Sequence, residues 1–290
     1  MRSHRPPADR IAAASVPDVG ESPRLPSFVI VGTHKGGTSS LLQFMCRHPQ
    51  VGRPARKELH FFDRHFQRGL DWYVAQFPAG RKITDVGEAT PLYMYDPVAR
   101  RRLARTLPHA RIIVTLRDPV KRAYSHYWHA RRYGKENLSF EAALAAEPER
   151  IVGASRRSRA SFSYVDRGRY LGQLLDLEQR LGRDALCITS LEQTIADPAT
   201  EITRVLEHLG LDSSRLKSTT MPRANAYASL TPAQKRRLAK SGRKLPADMS
   251  RSYPPMDPET AARLRAQFAE DNEQLREWLG WGSLPWPVGP

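Results

Sequence analysis

A glycine-rich turn, Gly32-Thr33-His34-Lys35-Gly36-Gly37-Thr38-Ser39-Ser40, combines a lysine, paired glycines and a run of hydroxyl side chains. Successive backbone N–H groups in such a turn, closed by a helix N-terminus, form a receptor for an anion. The magnesium-nucleotide pattern G-x-x-x-x-G-K-[ST] is not met, because Thr38 stands at its lysine position and Lys35 lies inside the loop. The expected ligand is a phosphate held without triphosphate or metal machinery. The bland alternative is a tight turn that needs glycine only for its backbone. A second cluster is Leu116-Arg117-Asp118-Pro119-Val120-Lys121-Arg122-Ala123-Tyr124-Ser125-His126-Tyr127. Arg117 follows an apolar run and Ser125 lies two helical turns further on, so an arginine fork and a hydroxyl can receive another phosphate. Taken alone, Arg117-Asp118 is as readily a structural ion pair.

A third cluster is Arg56-Lys57-Glu58-Leu59-His60, followed by Phe61-Phe62-Asp63. A carboxylate between cations and an apolar wall has its proton affinity tuned from both sides, as a general base requires. His60 is the competing base, since imidazole titrates near neutrality. An ion pair between Glu58 and Lys57 or Arg56 that merely fixes the loop is the remaining alternative.

These clusters need a scaffold, and the hydrophobic pattern supplies one. Ser27–Val31, Lys82–Glu88, Arg111–Leu116 and Ala185–Thr189 read as strands. Helical patterns fall at Leu41–Met45, Pro97–Leu107, Val120–Tyr133, Gly168–Leu181, Ala199–Leu209 and Glu259–Leu279. Strands alternating with helices predict an α/β fold, a P-loop-like central parallel sheet flanked by helices. Residues 27–290 form a single domain in this reading, with a loop-rich C-terminal lid after Gly210 and a helix near Pro232–Ser241. Residues 1–26, rich in Arg, Pro and Ala, read as a disordered leader.

The sequence has 290 residues, 46 Lys and Arg against 30 Asp and Glu, and a net charge of +16. Such a balance favours anionic partners without choosing among nucleic acid, glycan, polyphosphate or membrane surface. No apolar run reaches the roughly 18–20 residues of a membrane span. Cys46 and Cys187 both sit in apolar segments and read as buried free thiols of a cytoplasmic protein.

The order G-x-x-K-x-G-T, then L-R-D-P-x-x-R-x-x-S-x-Y, resembles the sulfotransferases that use 3′-phosphoadenosine-5′-phosphosulfate (PAPS). The likeness extends to Lys57–Asp63, Gly69-Leu70-Asp71-Trp72-Tyr73, Gly87–Tyr93 and Tyr253-Pro254-Pro255-Met256-Asp257. It is similar above all to the heparan sulfate N- and 3-O-sulfotransferase branch and its bacterial relatives. The resemblance implies that Lys35, Gly36, Gly37, Thr38 and Ser39 hold the 5′-phosphosulfate and that Arg117 and Ser125 grip the 3′-phosphate. It implies Glu58 as base, His60 and Asp63 on the acceptor side, and Arg251 with Tyr253 in a segment closing over the nucleotide. Two departures stand out: Glu88-Ala89-Thr90-Pro91 lacks the lysine many members carry, and Met249-Ser250-Arg251 keeps only the arginine of a lysine–glycine–arginine segment.

Other residues have alternative readings. Trp72 could stack on a sugar or pack in the core. Arg100, Arg101, Arg102 and Arg105 read as a solvated helix face rather than an acceptor patch, and His126 with His129 lacks further metal-ligand spacing. The expectation is metal-free sulfuryl transfer to a hydroxyl or amine of an acceptor that is itself anionic, with no nucleic-acid partner. The rival classes are a P-loop kinase or NTPase and a non-catalytic polyanion-binding protein.

Overall fold

Short runs rich in Val, Ile and Leu, buried on both faces, pair into one parallel sheet in a computed structural model that describes residues 24–80, 82–216, 218, 220, 236 and 253–289. The strands are β1 (Phe28–Gly32), β2 (Val51–Gly52), β3 (Asp85–Ala89), β4 (Arg111–Leu116) and β5 (Leu186–Ser190). Their spatial order is β2-β3-β1-β4-β5. Val29 aligns with Glu88 of β3 on one side and Ile112 of β4 on the other. The chain thus leaves β1 toward one edge and returns to the opposite side. That reversal opens a crevice at the C-terminal ends of β1 and β4, where ligands collect in open α/β sheets.

Helices fill both faces. After β1 come α1 (Thr38–Met45), α2 (Gly69–Val74), α3 (Leu92–Tyr95), α4 (Pro97–Thr106) and α5 (Pro119–Arg132). They are followed by α6 (Phe140–Ile151), α7 (Arg156–Phe162), α8 (Leu171–Leu181), α9 (Leu191–Ala196), α10 (Pro198–His208) and α11 (Pro258–Leu279). One core layer joins Val29, Val31, Ile112 and Val114 to Phe62, Tyr93, Leu174 and Leu275. The other packs Phe28, Ile30 and Ile113 against Leu41, Phe44, Val205 and Leu206. A third cluster seats α11 on α5 through Phe268, Leu264 and Tyr124.

The predicted α/β architecture holds, with shifts at the edges. The strand expected from Lys82 begins at Asp85 and ends at Ala89, and the helix expected from Gly168 begins at Leu171 after a short turn at Asp166–Gly168. Strand β2, with two residues, is too short to leave a periodic signal. Helices α2, α3, α6, α7 and α9 were not foreseen; α2, α3 and α9 are short, α6 carries Pro148 internally and α7 is rich in Ser and Arg, all weak helix signals. Residues 1–23 of the expected leader, most of the expected lid, and the Pro232–Ser241 helix apart from Arg236 lie outside the described residues. Among the described residues no helix is long and apolar enough to cross a membrane.

Candidate active site

The glycine turn leaves β1 and is pinned to β4. Thr33 N–H donates to the Thr115 carbonyl at 2.9 Å, and Thr115 Oγ1 donates to the Gly36 carbonyl at 2.8 Å. Backbones approach so closely here that a Cβ on Gly36 would stand 2.4 Å from the Thr115 carbonyl oxygen. Gly37 adopts φ 91°, a left-handed conformation that favours glycine, and starts α1. No side chain caps α1 and its first turn carries no acidic residue, while Thr38 and Ser39 are buried there. An uncapped, acid-free helix start beside a lysine fits a phosphate group. Lys35 has φ 74°, and its carbonyl accepts from Arg117 Nη1 at 3.0 Å. Burial, then the nearby cations Arg117, Lys57 and Arg132, push the Lys35 ammonium down to about 8; Glu58 opposes them.

Arg117 follows β4, and Asp118 caps α5 by accepting from Val120 N–H at 2.9 Å. The Arg117 carbonyl accepts from Tyr170 O–H at 2.8 Å, and Asp118 N–H donates to Glu192 at 3.1 Å. The turn that carries the arginine is therefore held from both α8 and α9. Ser125 is buried two turns into α5, with its hydroxyl on the helix that starts at Asp118. Tyr253 lies flat on Trp128 at 5.8 Å between ring centres and edge-on to Tyr124 at 5.4 Å. Tyr124 O–H donates to the Pro254 carbonyl at 3.0 Å. The Tyr253 segment thus docks on the helix of Ser125; Arg251 lies outside the described residues.

The third cluster converges on the same crevice. Glu58 and His60 both take left-handed backbone angles, φ 57° and 52°, which cost non-glycine residues on the order of 1–3 kcal/mol each. Glu58 faces Lys57 Nζ and His60 Nε2, each at 3.4 Å, while His60 Nδ1 meets Asp63 at 2.9 Å. Burial would raise the Glu58 carboxyl, yet hydrogen bonds from His60 and Lys57 outweigh it and hold the group at about 2. Burial lowers His60, and its bonds to Asp63 and Glu58 reverse that, raising it to about 9. An imidazolium between two carboxylates is the resting arrangement at neutral pH. Asp63 is buried and bonded to His60 and Arg64, so it acts on the crevice through His60.

This segment is tied to β3 by Glu88. Its carboxylate accepts from Leu59 N–H at 3.2 Å, Thr90 O–H at 2.6 Å, and Tyr73 and Tyr93 O–H at 2.9 Å each. In the sequence, Glu88-Ala89-Thr90-Pro91 fell within the family likeness and was noted for its missing lysine, but Glu88 was given no role. The available signal was a carboxylate in the last turns of a strand buried on both faces, an expensive placement unless fully bonded.

Around Lys35 the imidazoles of His34, His126 and His129 stack edge to face, at 4.7 and 5.2 Å from His34. Burial and surrounding cations hold all three below the usual histidine range, His129 at about 3. They are neutral at physiological pH. Trp72 packs on Phe61 and under the Arg68 guanidinium, its centroid 4.4 Å from the cation. The solvated-face reading of the arginines fails at two positions. Arg100 is buried, bonded to Asp176 and the Met94 carbonyl, and Arg102 reaches the Phe62 carbonyl at 3.0 Å. Burying the Arg100 guanidinium demands such partners, and α4 turns that residue toward the core while Arg102 lies half-buried against Phe62. Cys187 is buried as expected, but Cys46 ends α1 half-exposed; both are free thiols.

Residues 25–275 match the family model described as a sulfotransferase domain. Human heparan sulfate glucosamine 3-O-sulfotransferase 6 is 35% identical over 72% of this chain, and mouse 3-O-sulfotransferase 3B1 is 34% identical over 66% of it. The chain covers 58% and 47% of those two proteins, less than two thirds of either. The crystal structure of a sulfotransferase from Alicyclobacillus acidocaldarius superposes with a TM-score of 0.69 at 27% identity, covering 89% of this chain and 97% of that one. With the sulfotransferase model matched over residues 25–275 and the fold shared with the Alicyclobacillus protein, the chain belongs to the sulfotransferase family.

Proposed function

We propose that the enzyme transfers a sulfuryl group from PAPS to an acceptor hydroxyl or amine in one in-line step, with Glu58 as general base. The observation that supports this reading is that the Glu58 carboxylate lies near enough to the Lys35 ammonium in the glycine loop to oppose the lowering of its proton affinity. The donor's 5′-phosphosulfate lies along Lys35–Ser39 and its 3′-phosphate between Arg117 and Ser125. The acceptor oxygen or nitrogen attacks sulfur as the bond from sulfur to the bridging oxygen breaks. Charge gathers on that leaving oxygen, where Lys35 and the loop N–H groups stabilise it. No metal is needed for this charge.

The acceptor's proton passes to Glu58. A carboxylate at about 2 is a weak base, and an efficient one lies nearer the working pH. Only the bonds from His60 and Lys57 hold it there against burial. An acceptor hydroxyl that replaces one of them leaves burial to raise the carboxyl as the proton arrives. Exposed Arg56, Arg64 and Arg68 flank this segment and support an acceptor that is itself anionic, a glycan or a specialised metabolite. A cytoplasmic setting accords with the two free thiols.

Glu58→Gln preserves shape and removes basicity. The expected result is a kcat lower by ~10²–10⁴-fold with unchanged affinity for the product nucleotide, 3′-phosphoadenosine-5′-phosphate (PAP). Normal kcat in Glu58→Gln with a collapse in His60→Ala would transfer the base to His60.

A further inference from the structure

We propose that Glu88 is the positioning residue of the acceptor side, an internal anion whose carboxylate holds the strained segment bearing Glu58 and His60. The inference rests on the reading of those two residues as the acceptor-side pair. Left-handed angles at Glu58 and His60 turn consecutive N–H groups of the segment to one side, out of any helix or strand ladder. Such a concave row of donors is a backbone nest, which elsewhere receives external phosphates. Here it is filled from within.

The three amides between Glu58 and Phe62 all end on the Glu88 network. Leu59 N–H donates to Glu88 Oε2 at 3.2 Å. His60 N–H donates to Thr90 Oγ1 at 3.3 Å, and that hydroxyl donates to Glu88 Oε2 at 2.6 Å. Phe61 N–H donates to the Tyr93 oxygen at 2.7 Å, and Tyr93 O–H donates to Glu88 Oε1 at 2.9 Å. Tyr73 O–H supplies the remaining donor to Oε1. Glu88 is fully buried, which raises its carboxyl and excludes competing solvent, while the bonds from Thr90, Tyr73, Tyr93 and Leu59 oppose that rise and favour the anion. An ionised carboxylate offers acceptors only, and each oxygen here receives two donors. A protonated acid would have to donate to one of four groups already donating to it.

The consequence is rigid placement of a base by a residue about 30 positions away that never meets the acceptor. Small displacements of reacting groups are costly, since roughly 1 Å of misplacement can cost ~10²-fold in rate. Both flanking left-handed residues would relax toward ordinary backbone angles once the nest lost its anion.

The test uses Glu88→Gln, which puts an amide N–H₂ against two donors, and Thr90→Val, which keeps shape and removes the acceptor for His60 N–H. The readouts are kcat, PAP affinity and the imidazole titration of His60 by NMR without substrate. Expected are a kcat loss of ~10²-fold in Glu88→Gln and a smaller loss in Thr90→Val, with PAP affinity unchanged in both. In both, His60 should titrate below its wild-type value of about 9, toward the ordinary imidazole range, as its contact with Glu58 loosens. Should Glu88→Gln fail to fold, Thr90→Val carries the test alone. Unchanged kcat with an unchanged His60 titration would overturn the proposal, as would equal losses of kcat and PAP affinity. A displaced His60 titration with normal kcat would keep the tether and overturn the catalytic reading of Glu58.

Discussion

The crevice has two walls built on opposite principles. The wall proposed for the nucleotide, Gly32–Ser40, is made of backbone: paired glycines, an uncapped helix start and one lysine on a contiguous stretch. The wall proposed for the acceptor, Lys57–Asp63, is made of side chains held in unusual backbone angles by a partner strand. One wall turns a glycine loop and a helix start toward the crevice, the other spends its N–H groups inward on Glu88. The lesson is that backbone amides can serve a ligand in one wall and become a mount in the other, where a carboxylate closes them.

That contrast breaks most severely at Lys35. Lys35→Ala removes the fixed charge beside the leaving oxygen and should lower kcat by ~10²–10³-fold, comparable to loss of an oxyanion donor. PAP affinity should fall with it, whereas Glu58→Gln leaves PAP affinity alone. If steady-state kinetics and calorimetry showed the reverse pattern, the walls would be wrongly assigned.

An intermediate effect is expected in the pH dependence of nucleotide binding. Lys35 sits at about 8 in the free enzyme, so it loses its charge as pH rises through that value. A polyanionic nucleotide favours the charged form, so PAP should bind more weakly above pH 8 and take up a proton there. Calorimetry in buffers of different ionisation heat would register that uptake, and Lys35→Met should abolish it. Proton uptake persisting in Lys35→Met would assign the titration to another group.

The smallest effect concerns stability. The folded-state value of His60 is raised from 6.5 to about 9, so its contribution is complete below pH 6.5 and lost as pH rises through 9. Melting temperatures of the wild type and His60→Ala should differ most below pH 6.5 and converge above 9. A gap constant across that range would mean that His60 contributes packing and not charge.

The proposed nucleotide side was read from local sequence alone. Gly32, Gly36, Gly37 and Lys35 lie within one turn, and Arg117 and Ser125 within a strand end and the helix it starts. In both cases chain connectivity alone limits the geometry. The alternation of strands and helices likewise foretold a parallel sheet, because burial on both faces leaves continuous apolar runs such as Ile112–Leu116. Weakly patterned pieces escaped: β2 by its shortness, α7 by its serines and arginines, and Arg100 because the side of α4 it occupies depends on α8 and Asp176.

On the acceptor side the sequence determined which groups were present, a carboxylate, an imidazole and cations in Lys57-Glu58-Leu59-His60. Only the tertiary structure decided their states. Proton affinity is set by distance and burial; the partners Lys57, Asp63 and Arg64 are near in sequence, but the backbone angles that bring them together are held by Glu88, Thr90 and Tyr93. Glu88 shows the limit most clearly. As a letter between Gly87 and Ala89 it is a charge misplaced in a strand, and it becomes a mount only when folding brings Leu59, His60 and Phe61 across to it. Local composition can encode a turn, but a bond between residues about 30 positions apart is encoded by the fold.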